Sequence, residues 1–282
     1  MSLAYLLARA SDSLADTTSR SSAERRTDLS VFHAAVSAHP PVLDRPLPTG
    51  ADHTPGEKEL LERLPEVFQW LAAVPPAERQ LIQNVLDPIV TGQTEDLDRR
   101  TIDTDEELHR YAWQVAGCVG DFWTRLCALK LPRFSSAPTD TMIEWGTAFG
   151  RGLQLINILR DIPKDAALGR RYLPHVADSS PEAHWKAAQP WIAQCRRGWE
   201  AGLRYASHLR SWRLRLTVLL PARLLHETLV LIEKAGPDAV RRPVKVPRHR
   251  MKWILLQEML HAVVPARRHV PAATAAPEKE GR

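Results

Sequence analysis

Residues 149–174, FGRGLQLINILRDIPKDAALGRRYLP, constrain this chain more than any other stretch. At about 100° per residue, a helix places Gln154, Asn157 and Asp161 within about 60° of one another, and Asp165 joins them if the helix runs through Pro163. Leu153, Leu155, Ile156, Ile158, Leu159 and Ile162 cover the rest of that helix. A helix so nearly apolar all round is buried, and its narrow polar strip must face a cavity or an ion. Carboxylates one turn apart, at about 6 Å, repel or take up protons unless a cation stands between them. Carboxylate and amide oxygens together suit Mg²⁺ better than a softer metal. Ordinary ion pairing with Arg160, Lys164, Arg170 and Arg171 is the competing reading of the same carboxylates.

A second acidic strip decides between them. In the opening MSLAYLLARASDSLADTTS, Tyr5, Arg9, Asp12 and Asp16 fall on one helical stripe about 60° wide, while Leu3, Leu6, Leu7, Ala10 and Leu14 take the other faces. Two helices with paired aspartates, facing one another, can cage divalent cations that hold a diphosphate and draw it off as a leaving group. Magnesium is then the electrophile, and no general acid is needed at the leaving oxygen.

With both strips in view, the chain resembles the squalene and phytoene synthases, which join two prenyl diphosphates head to head. Asp12 to Asp16, DSLAD, is similar to the family's first aspartate motif, and Gln154 to Asp165 matches its second, QLxNIxRDxxxD. Gly169, Arg170, Tyr172, Leu173 and Pro174 match its GRxYLP tail, and residues 111–120, YAWQVAGCVG, match YxxxVAGxVG. The matches keep the family's order across about residues 2–260. The resemblance implies an all-α, single-domain isoprenoid synthase bundle around a central cavity, spanning residues 1–264. It implies Mg²⁺ on Asp12, Asp16, Asn157, Asp161 and Asp165, and a diphosphate oriented by Tyr5, Arg9, Gln154 and Arg170. Tyr111 is placed near the diphosphate or the developing cation, and Lys245 and Arg248 on a flap that closes over the site. Asp12, Asp16, Tyr111, Asp161 and Asp165 are thus the candidate catalytic residues. Lys164 stands where many members carry an acid, and Leu168 where a base is frequent. The family also has a helix upstream of Leu3, with Ser and Phe positions that help cover the site; these 282 residues are expected to lack it, to the detriment of activity.

Composition agrees with a helical enzyme and excludes other classes. With 44% hydrophobic and 25% charged residues over 282, the chain can bury one large core. Strand-like alternation is scarce, and no glycine-rich turn follows a strand as in a nucleotide-binding domain. No run of 18 apolar residues occurs and the opening lacks the pattern of a signal peptide, so a cytoplasmic location is expected. Cys118, Cys127 and Cys195 lack a zinc-ligand spacing and read as buried small hydrophobes.

Taken in order, residues 37–56 are a Pro- and Gly-rich exposed connection. Helices are expected over 57–73, 76–91 and 104–129, with Gly92 closing the second and Asp103 or Thr104 capping the third. Ala112, Ala116, Gly117 and Gly120 are small enough for another helix, or a long substrate, to approach. Further helices are expected over 185–209 and 214–235, and a disordered tail over 265–282. The basic run 241–252 beside the apolar 253–264 is a candidate peripheral contact with the inner membrane face, or else a solvated loop. A net charge of +5 without a recognition motif argues against nucleic acid. The product expected is squalene from two farnesyl diphosphates, with NADPH as hydride donor; phytoene or dehydrosqualene, formed by proton loss, is the alternative. A non-catalytic membrane-associated scaffold with the same fold is the alternative of another class, and a trans-prenyltransferase or terpene cyclase the nearer enzymatic one.

Overall fold

The structure, a computed structural model, describes residues 1–98, 101–178, 180–247, 250–251 and 254. Among the described residues the principal α-helices are, in order, α1 (Ser2–Asp16), α2 (Ser22–Ser37), α3 (Pro55–Glu62), α4 (Leu64–Ala73), α5 (Pro76–Asp96), α6 (Asp105–Ala112), α7 (Cys118–Lys130), α8 (Thr139–Ala167), α9 (Pro181–His208) and α10 (Trp212–Ala235). Among the described residues β-pairing is limited to two isolated bridges, Thr101 with Arg171 and Ser135 with Leu209. The fold is all-α. Several starts are written in the sequence as capping boxes: Ser21 with Glu24, Thr54 with Glu57, and Thr104 with Glu107 each exchange hydrogen bonds that satisfy the first free N–H groups of α2, α3 and α6.

Three boundaries depart from the periodicity. The helix expected over 57–73 breaks at Arg63, ahead of Pro65, into α3 and α4. The helix expected over 104–129 carries a π-turn at Trp113–Gly117 that separates α6 from α7. Gly92 does not close its helix, because α5 runs on to Asp96. Its role is close approach: a Cβ there would stand 3.0 Å from Gln114 Cβ and 3.1 Å from Val115 Cγ1 on the π-turn. Conversely, α8 does continue through Pro163, which lacks only the N–H that would have bonded one turn back.

The helices enclose two cores. Leu7, Leu14, Phe32, Phe68 and Leu86 pack α1, α2, α4 and α5 together, with Phe122 of α7 on their edge. Tyr111, Met142, Leu159, Trp191, Tyr205 and Leu225 pack α6, α8, α9 and α10. The helices α7 and α8 meet backbone to backbone at Gly120 and Gly146, where a Cβ on Gly120 would lie 2.0 Å from the Gly146 carbonyl oxygen. At that position helix packing accounts for the small residue. The buried Cys118, Cys127 and Cys195 are free thiols, each pushed well above the ordinary thiol range by burial. No described helix is long and apolar enough to cross a membrane.

Candidate active site

The α1 strip forms as its spacing requires: Leu3, Leu7, Ala10 and Leu14 are buried, while Tyr5 is 66% exposed and Arg9 and Asp12 are half-buried. Asp12 Oδ1 accepts a hydrogen bond from Gln93 Nε2 of α5 at 2.7 Å, and Arg9 Nη1 stands 4.0 Å from Asp12 Oδ2. Arg9 is ion-paired more closely with Glu57, the capping residue of α3. Burial, reinforced by the charge of Asp16, pushes the Asp12 carboxyl up to about 6. Asp16 is open at the rim yet walled closely enough that burial raises it too, against the pull of Arg9, Arg170, Lys164 and Arg25.

On α8, Arg160 grips its neighbour Asp161 with both arms, Nε to Oδ1 at 2.9 Å and Nη2 to Oδ2 at 2.7 Å. That fork holds Asp161 below the usual carboxylate range against its burial, with Lys164 and Lys245 adding to the pull. Asp165 behaves oppositely. Burial, then the charge of Asp161, pushes it up to about 6 despite Lys164 and Arg170, and Asp96 adds to the rise. Gln154 and Asn157 are half-buried on the same strip. The helix ends in a Schellman turn: Gly169, at φ +70°, donates to Ala166 O (3.0 Å), and Arg170 N–H reaches back to Asp165 O (2.8 Å).

That turn delivers Arg170 and Tyr172 to the C-terminal end of α5. The Tyr172 hydroxyl donates to Asp96, at 2.9 Å from Oδ1 and 2.8 Å from Oδ2, and Arg170 Nη1 lies 3.5 Å from Asp96 Oδ2. Burial and the adjacent Asp96 carboxylate push the Tyr172 hydroxyl up. Tyr111 stacks on Tyr172 with ring centroids 5.4 Å apart and planes 16° from parallel, and its hydroxyl is close enough to Arg170 to reinforce the guanidinium's charge. The segment is fixed from behind by Ile102 N–H donating to Arg171 O (2.8 Å) and by Arg171 pairing with Asp103 (2.7 Å). A small cavity lined by Ile158, Ile162, Asp165, Arg170 and Tyr172 opens beside Asp165.

The structure therefore gathers Asp16, Asp161, Asp165, Lys164, Arg170, Tyr111 and Lys245 into one electrostatic neighbourhood. Asp12 joins it through Asp16, whereas Tyr5 is exposed and shows no contact with it among the described residues. Arg248, the apolar stretch 253–264 apart from the buried Ile254, and the tail 265–282 lie outside the described residues. Two residues were missed by the sequence reading: Gln93, which bonds Asp12, and Asp96, which anchors Arg170 and Tyr172. Both lie beyond Gly92, in what was expected to be loop.

Among the described residues no three His, Cys, Asp or Glu side chains come close enough to hold one metal ion alone. The donor set still fits Mg²⁺, which is ordinarily bound by one or two carboxylates together with substrate phosphates and water. Two half-buried carboxyls raised to about 6 gain more from an arriving cation than ordinary surface aspartates do.

Comparison with known proteins gives one answer. The family model for squalene/phytoene synthase matches residues 1–250. The 15-cis-phytoene synthase of Synechococcus elongatus is 29% identical over 197 residues, 62% of each chain. Phytoene synthase 3 of Zea mays is 28% identical over 69% of this chain and 47% of its own. Squalene synthase ERG9 of Gibberella zeae is 26% identical over 68% of this chain and 45% of its own. The chain thus spans about half to three-fifths of the length of these relatives. Among solved structures, TcSQS in complex with a ligand superposes over 92% of this chain and 79% of its own, with a TM-score of 0.74 and 21% identity. The squalene synthase HpnC of Alicyclobacillus acidocaldarius does so over 82% and 80%, with a TM-score of 0.56 and 17% identity. These two establish the fold. On the match over residues 1–250, this chain belongs to the squalene/phytoene synthase family.

Proposed function

We propose that the protein condenses two prenyl diphosphates head to head, most specifically two farnesyl diphosphates through a cyclopropylcarbinyl diphosphate to squalene. One observation carries the reading beyond family membership. The charges of Lys164, in the last turn of α8, and Arg170, just past its end, reach Asp16 of α1 as well as Asp165, which supports one site built from motifs about 150 residues apart.

In this reading Arg170, oriented by Asp96 and Tyr172, binds the diphosphate through charge-assisted hydrogen bonds, with Arg9 and Gln154 as further donors. Mg²⁺ held by Asp12, Asp16, Asn157, Asp161 and Asp165 supplies neutralisation of the leaving diphosphate. Loss of diphosphate from one substrate leaves an allylic cation, which the double bond of the second attacks to close the cyclopropane. The ring of Tyr111, buried and stacked on Tyr172 beside Arg170, stabilises that cation in this reading through its π electrons. The apolar faces of α6 and α8 keep out the water that would quench the cation to an alcohol. Lys245, close enough to act on Asp161, closes the site from the segment after α10. A second ionisation and rearrangement yields the hydrocarbon.

NADPH would supply the final hydride if squalene is the product. Phytoene or dehydrosqualene, which end by proton loss without it, stand beside squalene as products. The test is to incubate purified protein with labelled farnesyl or geranylgeranyl diphosphate and Mg²⁺, with and without NADPH, and separate the products by chromatography. A C30 or C40 hydrocarbon is expected. Recovery of the diphosphates alone would favour a non-catalytic scaffold, and a monomeric cyclic terpene would favour a cyclase.

A further inference from the structure

The end of the bundle far from the aspartates carries a surface of different chemistry. The loop after α7 is bonded to the turn between α9 and α10: Ser136 N–H donates to His208 O at 2.8 Å, and Arg210 N–H to Phe134 O at 2.9 Å. Arg210 Nε adds a bond to Ser135 O at 3.2 Å. This lacing brings Leu129, Leu131 and Trp212, each between 43% and 47% exposed, to one end with the exposed cations Lys130, Arg133, Arg210 and Arg213. The Arg213 guanidinium lies 5.5 Å from the Trp212 ring centroid.

The sequence keeps acids away from this end. None occurs between Asp121 and Asp140, and none between Glu200 and Glu227. Two acids do approach it: Glu78 of α5, which pairs with Lys130, and Asp140 in the first turn of α8. Among the described residues no carboxylate pairs with Arg133, Arg210 or Arg213. A merely solvated basic face needs no exposed tryptophan and leucines, and a protein contact here would need a partner that brings carboxylates to these guanidinium groups. Tryptophan level with arginine and lysine, over exposed aliphatic side chains, is the combination that suits a lipid headgroup layer.

We propose that this end of the bundle docks on an anionic lipid membrane, with Trp212, Leu131 and Leu129 entering the interface and Arg133, Arg210 and Arg213 on lipid phosphates. The inference rests on this patch and not on the reaction. It is also distinct from the basic stretch 241–252. Along α8, Asp161 lies about 33 Å from the helix start beside the patch, so docking leaves the acidic site facing water. If the prenyl reading holds, charged substrates arrive from water and the hydrocarbon forms near the phase that dissolves it.

The test is cosedimentation of the full chain with vesicles of phosphatidylcholine, alone or mixed with phosphatidylglycerol. Binding is expected only to the mixed vesicles, and it should weaken as salt rises from about 0.1 M to 1 M and screening shortens. Trp212→Ser with Arg213→Glu should weaken binding by about tenfold or more at an unchanged thermal midpoint, whereas Arg241→Glu with Arg242→Glu should change it less than threefold. Leu131→Ser, also exposed, provides a second variant should the first lose its fold. Wild-type affinity in folded patch variants would overturn the proposal, as would loss of binding confined to the 241–242 variant. Failure of the wild type to bind vesicles would also overturn it, and patch-dependent capture of an acidic protein would replace lipid with protein as the partner.

Discussion

The aspartate pairs of α1 and α8 share one spacing and sit in opposite surroundings. Asp161 is gripped by the adjacent guanidinium of Arg160 and held charged. Asp12 has a neutral amide, Gln93, as its nearest donor, and the Arg9 that could serve it is drawn towards Glu57. Burial raises both α1 carboxyls against these weaker partners, whereas on α8 it raises only Asp165. Sequence spacing sets which carboxylates share a face; the helices packed around them set their charge. The α8 pair is a partly compensated anchor, and the α1 pair is the one that most needs an arriving cation.

The sharpest way to break this comparison is to neutralise one carboxylate from each helix. Asp12→Asn and Asp161→Asn should each lower product formation roughly 10³-fold or more with the helical circular dichroism intact. An Asp12→Asn enzyme that keeps most of its rate would leave α8 as the sole metal-binding strip. Next in size, Asp96→Asn and Tyr172→Phe, which loosen Arg170 without touching either pair, should cost roughly 10- to 100-fold in kcat/KM. Wild-type kinetics in both would show that Arg170 needs no support from α5.

Acid should separate the helices further. Because Asp12 and Asp165 must ionise to receive a metal, log kcat/KM should fall below about pH 6, and more Mg²⁺ should move that limb to lower pH as metal competes with protons. A limb that ignores Mg²⁺ would assign it to other groups. The smallest effect concerns stability without metal. A carboxyl raised in the folded state favours folding when protonated, and that contribution is lost as pH rises from about 4 through about 6. Asp12→Asn should thus stabilise the metal-free protein at pH 7 by a few tenths to about 1 kcal/mol, a figure discounted because solvent reaches the side chain. Asp161, depressed by Arg160, contributes above about pH 4 and loses that contribution in acid, so Asp161→Asn should destabilise by a similar amount. Thermal melts of the two variants with shifts of one sign would contradict the assigned asymmetry.

Much of the architecture was legible because a period of 3.6 leaves little choice for stretches such as residues 2–16 and 139–167. The acidic strips were legible for the same reason. The support behind them was not. Taking Gly92 as a stop hid that Gln93 and Asp96 lie on α5; the glycine is helical and serves the approach of the π-turn. A glycine reads alike in sequence whether it turns the chain or makes room for a neighbour. Nor could spacing reveal that Arg9 is drawn towards Glu57, since that pairing depends on how α3 packs against α1.

The left-handed turn at Gly169 is more than a terminus. It converts the axial direction of α8 into a lateral one within a single residue, so that the backbone itself aims Arg170 across to the neighbouring helix. A side chain added at 169 would have open room but the wrong torsion, and would spoil the aim of a guanidinium it never touches. Stopping a helix and pointing a cation are here one act of chain geometry.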